Sequence, residues 1–149
     1  MRIKQSICYP IFQARDISLD DLFATAAEIG YAAIEFWARG NNYEEVIETA
    51  RRHGLAVASM SGHESLPDGL NKRSNHERIE AELCESIDIA ARYGIPGLIC
   101  FSGNRQPYQT ELEAIDACAE GLRRIAPYAE EKGVNLNMEL LNSKVDHPG

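Results

Sequence analysis

The sequence predicts an α/β fold built on a parallel sheet, and two observations carry that prediction. The first is an Ala-x3-Gly pattern followed by an apolar run, which occurs at Ala26…Gly30, Ala50…Gly54, Ala90…Gly94 and Ala129…Gly133. Each copy reads as a helix end, a glycine stop and a strand start. Helices and strands therefore alternate strictly, which calls for crossover connections and parallel pairing. The second is that no GxGxxG or P-loop follows the first strand, which exits through Tyr9-Pro10-Ile11-Phe12. Nucleotide-binding doubly wound sheets lose support, and part of a (β/α)8 barrel gains it, with four βα units and a fifth strand.

The elements follow in order. A strand is expected over 3–9. Ser18 with Asp21 resembles a capping box, and Leu19, Leu22, Phe23, Ala26 and Ile29 recur at helical spacing, giving a helix over 18–29 and then a strand over 31–37. Asn42 can cap a helix over 43–53 with Tyr43, Val46, Ile47 and Ala50 as its apolar stripe, followed by a strand over 55–61. Ser74 and Glu77 form an S-x-x-E box ahead of Ile79, Leu83, Ile87 and Ala90, predicting a helix over 74–93 and a strand over 97–102. Thr110 with Glu113 repeats the box for a helix over 110–132, and a fifth strand spans 134–141. Gly30, Gly54, Gly94 and Gly133 stand where a left-handed residue ends each helix.

The 149 residues carry 15 Lys+Arg against 23 Asp+Glu, a net charge of −8, with 44% apolar residues. That suits a single domain over 1–149 with a real core, and excludes a disordered chain. No run approaches the ~20 apolar residues of a membrane span. The acidic balance opposes a general nucleic-acid binder, whose affinity comes from clustered Lys and Arg. The N-terminus lacks the apolar run of a secretory signal, so a cytoplasmic location is expected. Cys8, Cys84, Cys100 and Cys118 sit in neither CxxC nor zinc-finger spacing and read as small buried residues.

Candidate functional residues cluster at strand ends. The joint from Gly62 to Arg73 is long and polar and leaves the carboxyl end of a strand, whereas each helix-to-strand joint is essentially one glycine. Polar length on that side marks a ligand-binding face, and a loop of that length is expected to be functional or mobile. On the fifth strand, Val134, Leu136, Met138 and Leu140 alternate with Asn135, Asn137 and Glu139. A carboxylate inside a parallel sheet is paired, protonated or metal-bound, so Glu139 is either functional or part of an ion pair. Glu35 is the same oddity on the second strand, read as an internal carboxylate that positions a basic group or as a direct participant. His63 could orient a substrate hydroxyl or ligate a metal. His53 and His76, in a last and a first helical turn, read as structural or solvated. Asn104 and Arg105, after Phe101-Ser102-Gly103, suit sugar hydroxyls or a carboxylate, since Arg holds an anion through two parallel bonds. Lys144, Asp146 and His147 follow the fifth strand.

These residues resemble the N-terminal part of a xylose-isomerase-like TIM barrel, most closely the hydroxypyruvate-isomerase-like branch of sugar isomerases and epimerases. The likeness runs through Gln5-Ser6-Ile7-Cys8-Tyr9, Ile34-Glu35-Phe36, Met60-Ser61-Gly62-His63, Phe101-Ser102-Gly103-Asn104-Arg105 and Asn137-Met138-Glu139-Leu140-Leu141-Asn142. It implies aldose–ketose interconversion of a small sugar or hydroxy-keto acid through an enediol. The implied cofactor is a divalent cation, Mg2+ or Mn2+ first and Zn2+ or Co2+ next. Glu139 matches a metal ligand and acid/base carboxylate, with His63, Asn104, Arg105 and Glu35 as substrate-binding candidates. The family's remaining ligands and second glutamate lie on later strands, so this chain alone is expected to bind metal weakly and turn over little substrate. One competing expectation is a non-catalytic half-barrel that forms a homodimer or higher oligomer through open edges. Another is a damaged-DNA endonuclease, which four scattered histidines and the acidic charge oppose.

Overall fold

The computed structural model describes residues 3–12, 16–37, 39–139 and 141. Its elements are β1 (Ser6–Cys8), α1 (Leu19–Ile29), β2 (Ala33–Phe36), α2 (Tyr43–Arg52), β3 (Ala56–Ser61), α3 (His76–Tyr93), β4 (Gly97–Cys100), α4 (Glu111–Lys132) and β5 (Asn135–Met138), with 3-10 turns at Tyr9–Phe12 and Arg73–Asn75. The strands pair in parallel in the order β1-β2-β3-β4-β5. That sequential order belongs to a barrel wall, because a doubly wound sheet reverses at a switch point. The sheet is not closed among the described residues.

The Ala-x3-Gly repeat is one helix cap used four times. Gly30, Gly54, Gly94 and Gly133 take φ of 102°, 74°, 65° and 71°. The N–H after each glycine then donates back to the repeat's alanine: Tyr31 to Ala26 (3.0 Å), Leu55 to Ala50 (2.9 Å), Ile95 to Ala90 (2.8 Å) and Val134 to Ala129 (2.9 Å). This is the outer bond of a Schellman motif, and only glycine adopts its left-handed residue without strain. The four alanines are buried, so the same residue closes the helix and packs it close to the sheet.

The helix starts are less uniform. Ser18 Oγ accepts from Asp21 N–H at 3.1 Å. In α4, Thr110 Oγ1 accepts from Glu113 N–H (3.3 Å) while the Glu113 carboxylate accepts from Thr110 N–H (2.8 Å), completing a capping box. The expected Ser74–Glu77 box is corrected: a 3-10 turn enters α3, which begins at His76 with Asn75 at its cap position. The Asn75 amide turns back into the preceding loop and donates to Asp68 O (3.1 Å), so the loop holds this helix entry. Asn42 takes the cap position of α2 without a side-chain bond. Glu44 and Glu45 in the first turn and Arg51 and Arg52 in the last instead suit the helix dipole. The strands are also shorter than expected, most of all β1 and β5, the two outer strands of the sheet, each with a ladder on one side only among the described residues.

One face of the sheet carries the core. Ile34, Phe36, Met60, Leu98 and Cys100 alternate onto the helix-covered side and are at most 1% exposed. Burying side chains of this size contributes roughly 1.5–3 kcal/mol each. Tyr9 closes one end edge-on against Phe23, ring centroids 5.6 Å apart. The opposite face carries Ser6, Glu35, Trp37, Ser59, Asn135 and Asn137, all half-buried or exposed. His76 is structural: buried, it donates from Nε2 to Leu70 O at 2.9 Å. Gly121 on α4 makes this possible, since a Cβ there would strike Leu70 and His76. His53 Nε2 lies 3.0 Å from Asp20 Oδ1. Only Cys100 is a buried cysteine, its thiol pushed up to about 12 by burial. Cys8, Cys84 and Cys118 are half-buried, a correction that follows from their places on the edge strand and helix flanks. No described helix is long and apolar enough to cross a membrane.

Candidate active site at the carboxyl end of the sheet

Beyond Cys100 the chain makes the turn Phe101–Arg105, and the loop from Gly62 to Arg73 is laced to it. Leu70 N–H donates to Phe101 O (3.1 Å), Asn71 N–H to Ser102 O (2.8 Å) and Asn104 N–H to Pro67 O (2.9 Å). The Asn71 side chain adds a bond from Nδ2 to Asn104 O (2.7 Å). The two segments approach so closely at Gly69 and Gly103 that neither admits a Cβ, and Gly103 holds φ of 93°. The expected alternative of a mobile loop is corrected by these bonds. The loop acts as a clasp on the turn.

His63 begins that loop. It is 2% exposed, and its Nε2 accepts from Phe101 N–H at 2.9 Å while the ring packs edge-on against the Phe101 ring. Burial pushes the imidazole down to about 4, with the Glu82 charge opposing and the Arg78 charge assisting. The ring is therefore neutral near pH 7. Asn104 and Arg105 are exposed on the turn itself.

Glu139 follows β5, next to the same turn. Its N–H donates to Cys100 O (2.9 Å), and the Cys100–Met138 register sets it beside Phe101 on the face opposite the helices. It is exposed among the described residues. The structure thus sets Glu139 beside Phe101, the first residue of the turn that carries Asn104 and Arg105, and His63 is bonded to that same Phe101.

Glu35 lies elsewhere. The register sets it level with Ser59 and, across β3 and β4, with Gly97 and Asn135. That is four residues, roughly 13 Å of strand, below Glu139. Its oxygens accept from the hydroxyls of Ser6 and Ser59, the latter at 3.2 Å, so hydroxyls occupy the place expected for a basic group. A register shift between Ile34 and Glu35 puts Ser59, rather than Ala58, opposite the carboxylate. Burial first, and then the Glu35 charge, raises the Cys8 thiol above its ordinary value.

Two residues of this region escaped the sequence reading. Asn71 is buried and bridges loop and turn, and the buried Leu70 beside it, an apolar residue inside a polar loop, is the signal that could have marked the anchor. Trp37, 56% exposed, stands at the carboxyl end of β2 on the open face. Leu140, Asn142, Lys144, Asp146 and His147 lie outside the described residues.

A hard divalent ion takes six or more oxygen ligands, several of them carboxylates in an all-protein site. Among the described residues no three His, Cys, Asp or Glu side chains converge. These residues therefore do not constitute the implied metal site.

Comparison with known proteins agrees with the architecture. The chain matches the family described as xylose isomerase-like TIM barrel over residues 23–149. A search of curated proteins finds no match. Among solved structures, a D-psicose 3-epimerase studied with D-fructose superposes with a TM-score of 0.73 at 18% identity, covering 97% of this chain and 55% of that one. The D-psicose 3-epimerase of Clostridium cellulolyticum H10 gives 0.72 at 14% identity, covering 95% and 53%. A probable 3-DHS dehydratase of Bacillus anthracis gives 0.66 at 21% identity, covering 90% and 51%. The chain spans about half the length of these structures. At such identities the likeness establishes the fold. Sequential parallel strands, helices on one face and a matched region covering most of the chain lead to one assignment: the chain belongs to the xylose isomerase-like TIM barrel family.

Proposed function

We propose that this chain supplies part of the active site of a sugar isomerase or epimerase, with Glu139 moving a proton at a carbon next to the substrate carbonyl. The observation that supports this is that Glu139 stands on the open polar face beside Phe101, where the turn carrying Asn104 and Arg105 begins. Enediol chemistry needs a carboxylate beside an acidified C–H and donors that hold the flanking oxygens. Glu139 offers the first, and Asn104 and Arg105 offer the second. The finer reading is hydroxypyruvate-isomerase-like: a small hydroxy-keto acid whose carboxylate Arg105 grips through two parallel bonds. Glu139 would also give one oxygen to a divalent cation completed by residues outside the described set.

The test uses the protein as its cell makes it, offered hydroxypyruvate, D-fructose and D-psicose. Interconversion of at least one is expected, with Glu139→Gln slower by about 100-fold or more, the usual contribution of a general base. Conversion by the variant at the wild-type rate would overturn the assignment.

A further inference from the structure

The β3–β4 ladder ends before the turn does. Ser61 pairs with Ile99, and Gly62 N–H still donates to Ile99 O at 2.8 Å. The next ladder N–H on the β4 side is that of Phe101, and it needs an acceptor from β3. The carbonyl next in register is that of Gly62, just past β3, and it accepts from Ser86 Oγ at 2.6 Å instead. A backbone N–H shielded from water is costly to leave unpaired. His63 fills the place with a ring nitrogen, Nε2 to Phe101 N at 2.9 Å.

That geometry fixes the chemistry of the ring. A backbone N–H only donates, so Nε2 must present its lone pair, and the neutral ring then carries its proton on Nδ1. Burial of the ring favours the neutral form across the physiological range, against the nearby Glu82 charge and with that of Arg78. His76 is the opposite case, since it donates from Nε2 to a carbonyl.

We propose that His63 is a positioning residue: its Nε2 lone pair takes the place of the Gly62 carbonyl and so sets the placement of the Asn104–Arg105 turn. Nε2 is then not available to ligate a cation, while Nδ1, buried and without a hydrogen-bond partner among the described residues, carries the ring proton. The consequence for sugar affinity rests on the function proposed above. The consequence for the turn does not.

The test compares wild type with His63→Gln, whose Oε1 lies as many bonds from the backbone as Nε2 and can accept, and His63→Leu, which fills space without accepting. Nitrogen-15 NMR at pH 7 should show His63 protonated at Nδ1 and unprotonated at Nε2. Amide exchange at Phe101 should be about tenfold faster in His63→Leu, the order expected for one lost hydrogen bond. Asn104, whose N–H donates to Pro67 O, should follow in the same variant, and His63→Gln should restore both. KM for D-fructose should rise about tenfold in His63→Leu with kcat little changed, again rescued by Gln. A protonated Nε2, or unchanged Phe101 protection in His63→Leu, would overturn the proposal. Altered exchange with unchanged KM would overturn the link from turn to substrate. A wild-type protein that leaves D-fructose untouched would count against the proposed function, while the exchange and tautomer results would still decide the role of His63.

Discussion

Alanine at three glycines separates two costs that the clasp combines. Gly30 has φ of 102° and nothing within 4 Å of a built Cβ, so Gly30→Ala reports backbone strain alone. Gly69 has no positive φ, but its Cβ would meet Gly103 N and Phe101 O, so Gly69→Ala reports steric conflict alone. Gly103 has both: φ of 93°, and a Cβ that would lie 2.5 Å from Gly69 N and 2.6 Å from Asn71 Oδ1. Left-handed strain costs roughly 1–2 kcal/mol for an L-residue, and forcing atoms into a packed site roughly 1–3 kcal/mol. The upper part of that second range applies because the opposing atoms are mostly backbone and cannot rotate away. Expected losses are then ~1 kcal/mol for Gly30→Ala, ~3 for Gly69→Ala and ~4 for Gly103→Ala. The double variant should cost less than the sum of its parts, because both substitutions open one contact. Urea unfolding with unchanged m-values measures these directly, and thermal midpoints should fall by about 2–4 °C per kcal/mol. Equal losses at all three positions would refute the close approach of loop and turn.

Three further outcomes are expected. The His63 ring is depressed from 6.5 to about 4, so the stability it contributes is present above pH 6.5 and is lost as pH falls through 4. At about 1.4 kcal/mol per unit this amounts to about 3 kcal/mol relative to His63→Gln. A stability difference that stays constant between pH 7 and pH 4, measured by urea titration, would contradict it. Isothermal titration of Mn2+ into the 149-residue chain should give binding weaker than about 10⁻⁴ M, because no three His, Cys, Asp or Glu side chains converge among the described residues. Tight one-to-one binding would show a metal site that the described geometry lacks. Light scattering should find the 149-residue chain self-associated, since among the described residues β1 and β5 each pair on one side only and an apolar cavity of about 300 Å³ lined by Ile7, Phe12, Ile17, Leu22, Ile29 and Tyr31 opens beside β1. A stable monomer would count against that.

The architecture was legible because its punctuation is local. A buried alanine, a left-handed glycine and an apolar residue within six positions make a Schellman cap, and four copies leave little freedom in where helices end. Starts were harder where the loop, rather than the cap residue, holds the helix, as Asn75 shows. The residue types of the site were legible too, from a carboxylate on an alternating strand and an amide and guanidinium after a small-residue turn. Their arrangement was not. Ser59 faces Glu35 because of a one-residue register shift, which no periodicity in either strand encodes. The Gly69–Gly103 approach joins segments 34 positions apart, and neither glycine differs in sequence from an ordinary turn glycine. The ring nitrogen that His63 uses depends on Phe101, 38 positions away.

We propose Glu139 as the proton-transferring carboxylate at this strand end. The most direct test incubates the native protein with D-fructose or hydroxypyruvate in D2O and follows deuterium at the carbon beside the carbonyl by NMR. Wild type should incorporate solvent deuterium at that carbon, and Glu139→Gln should do so about 100-fold more slowly or worse while retaining its fold. Incorporation by Glu139→Gln at the wild-type rate would contradict the account.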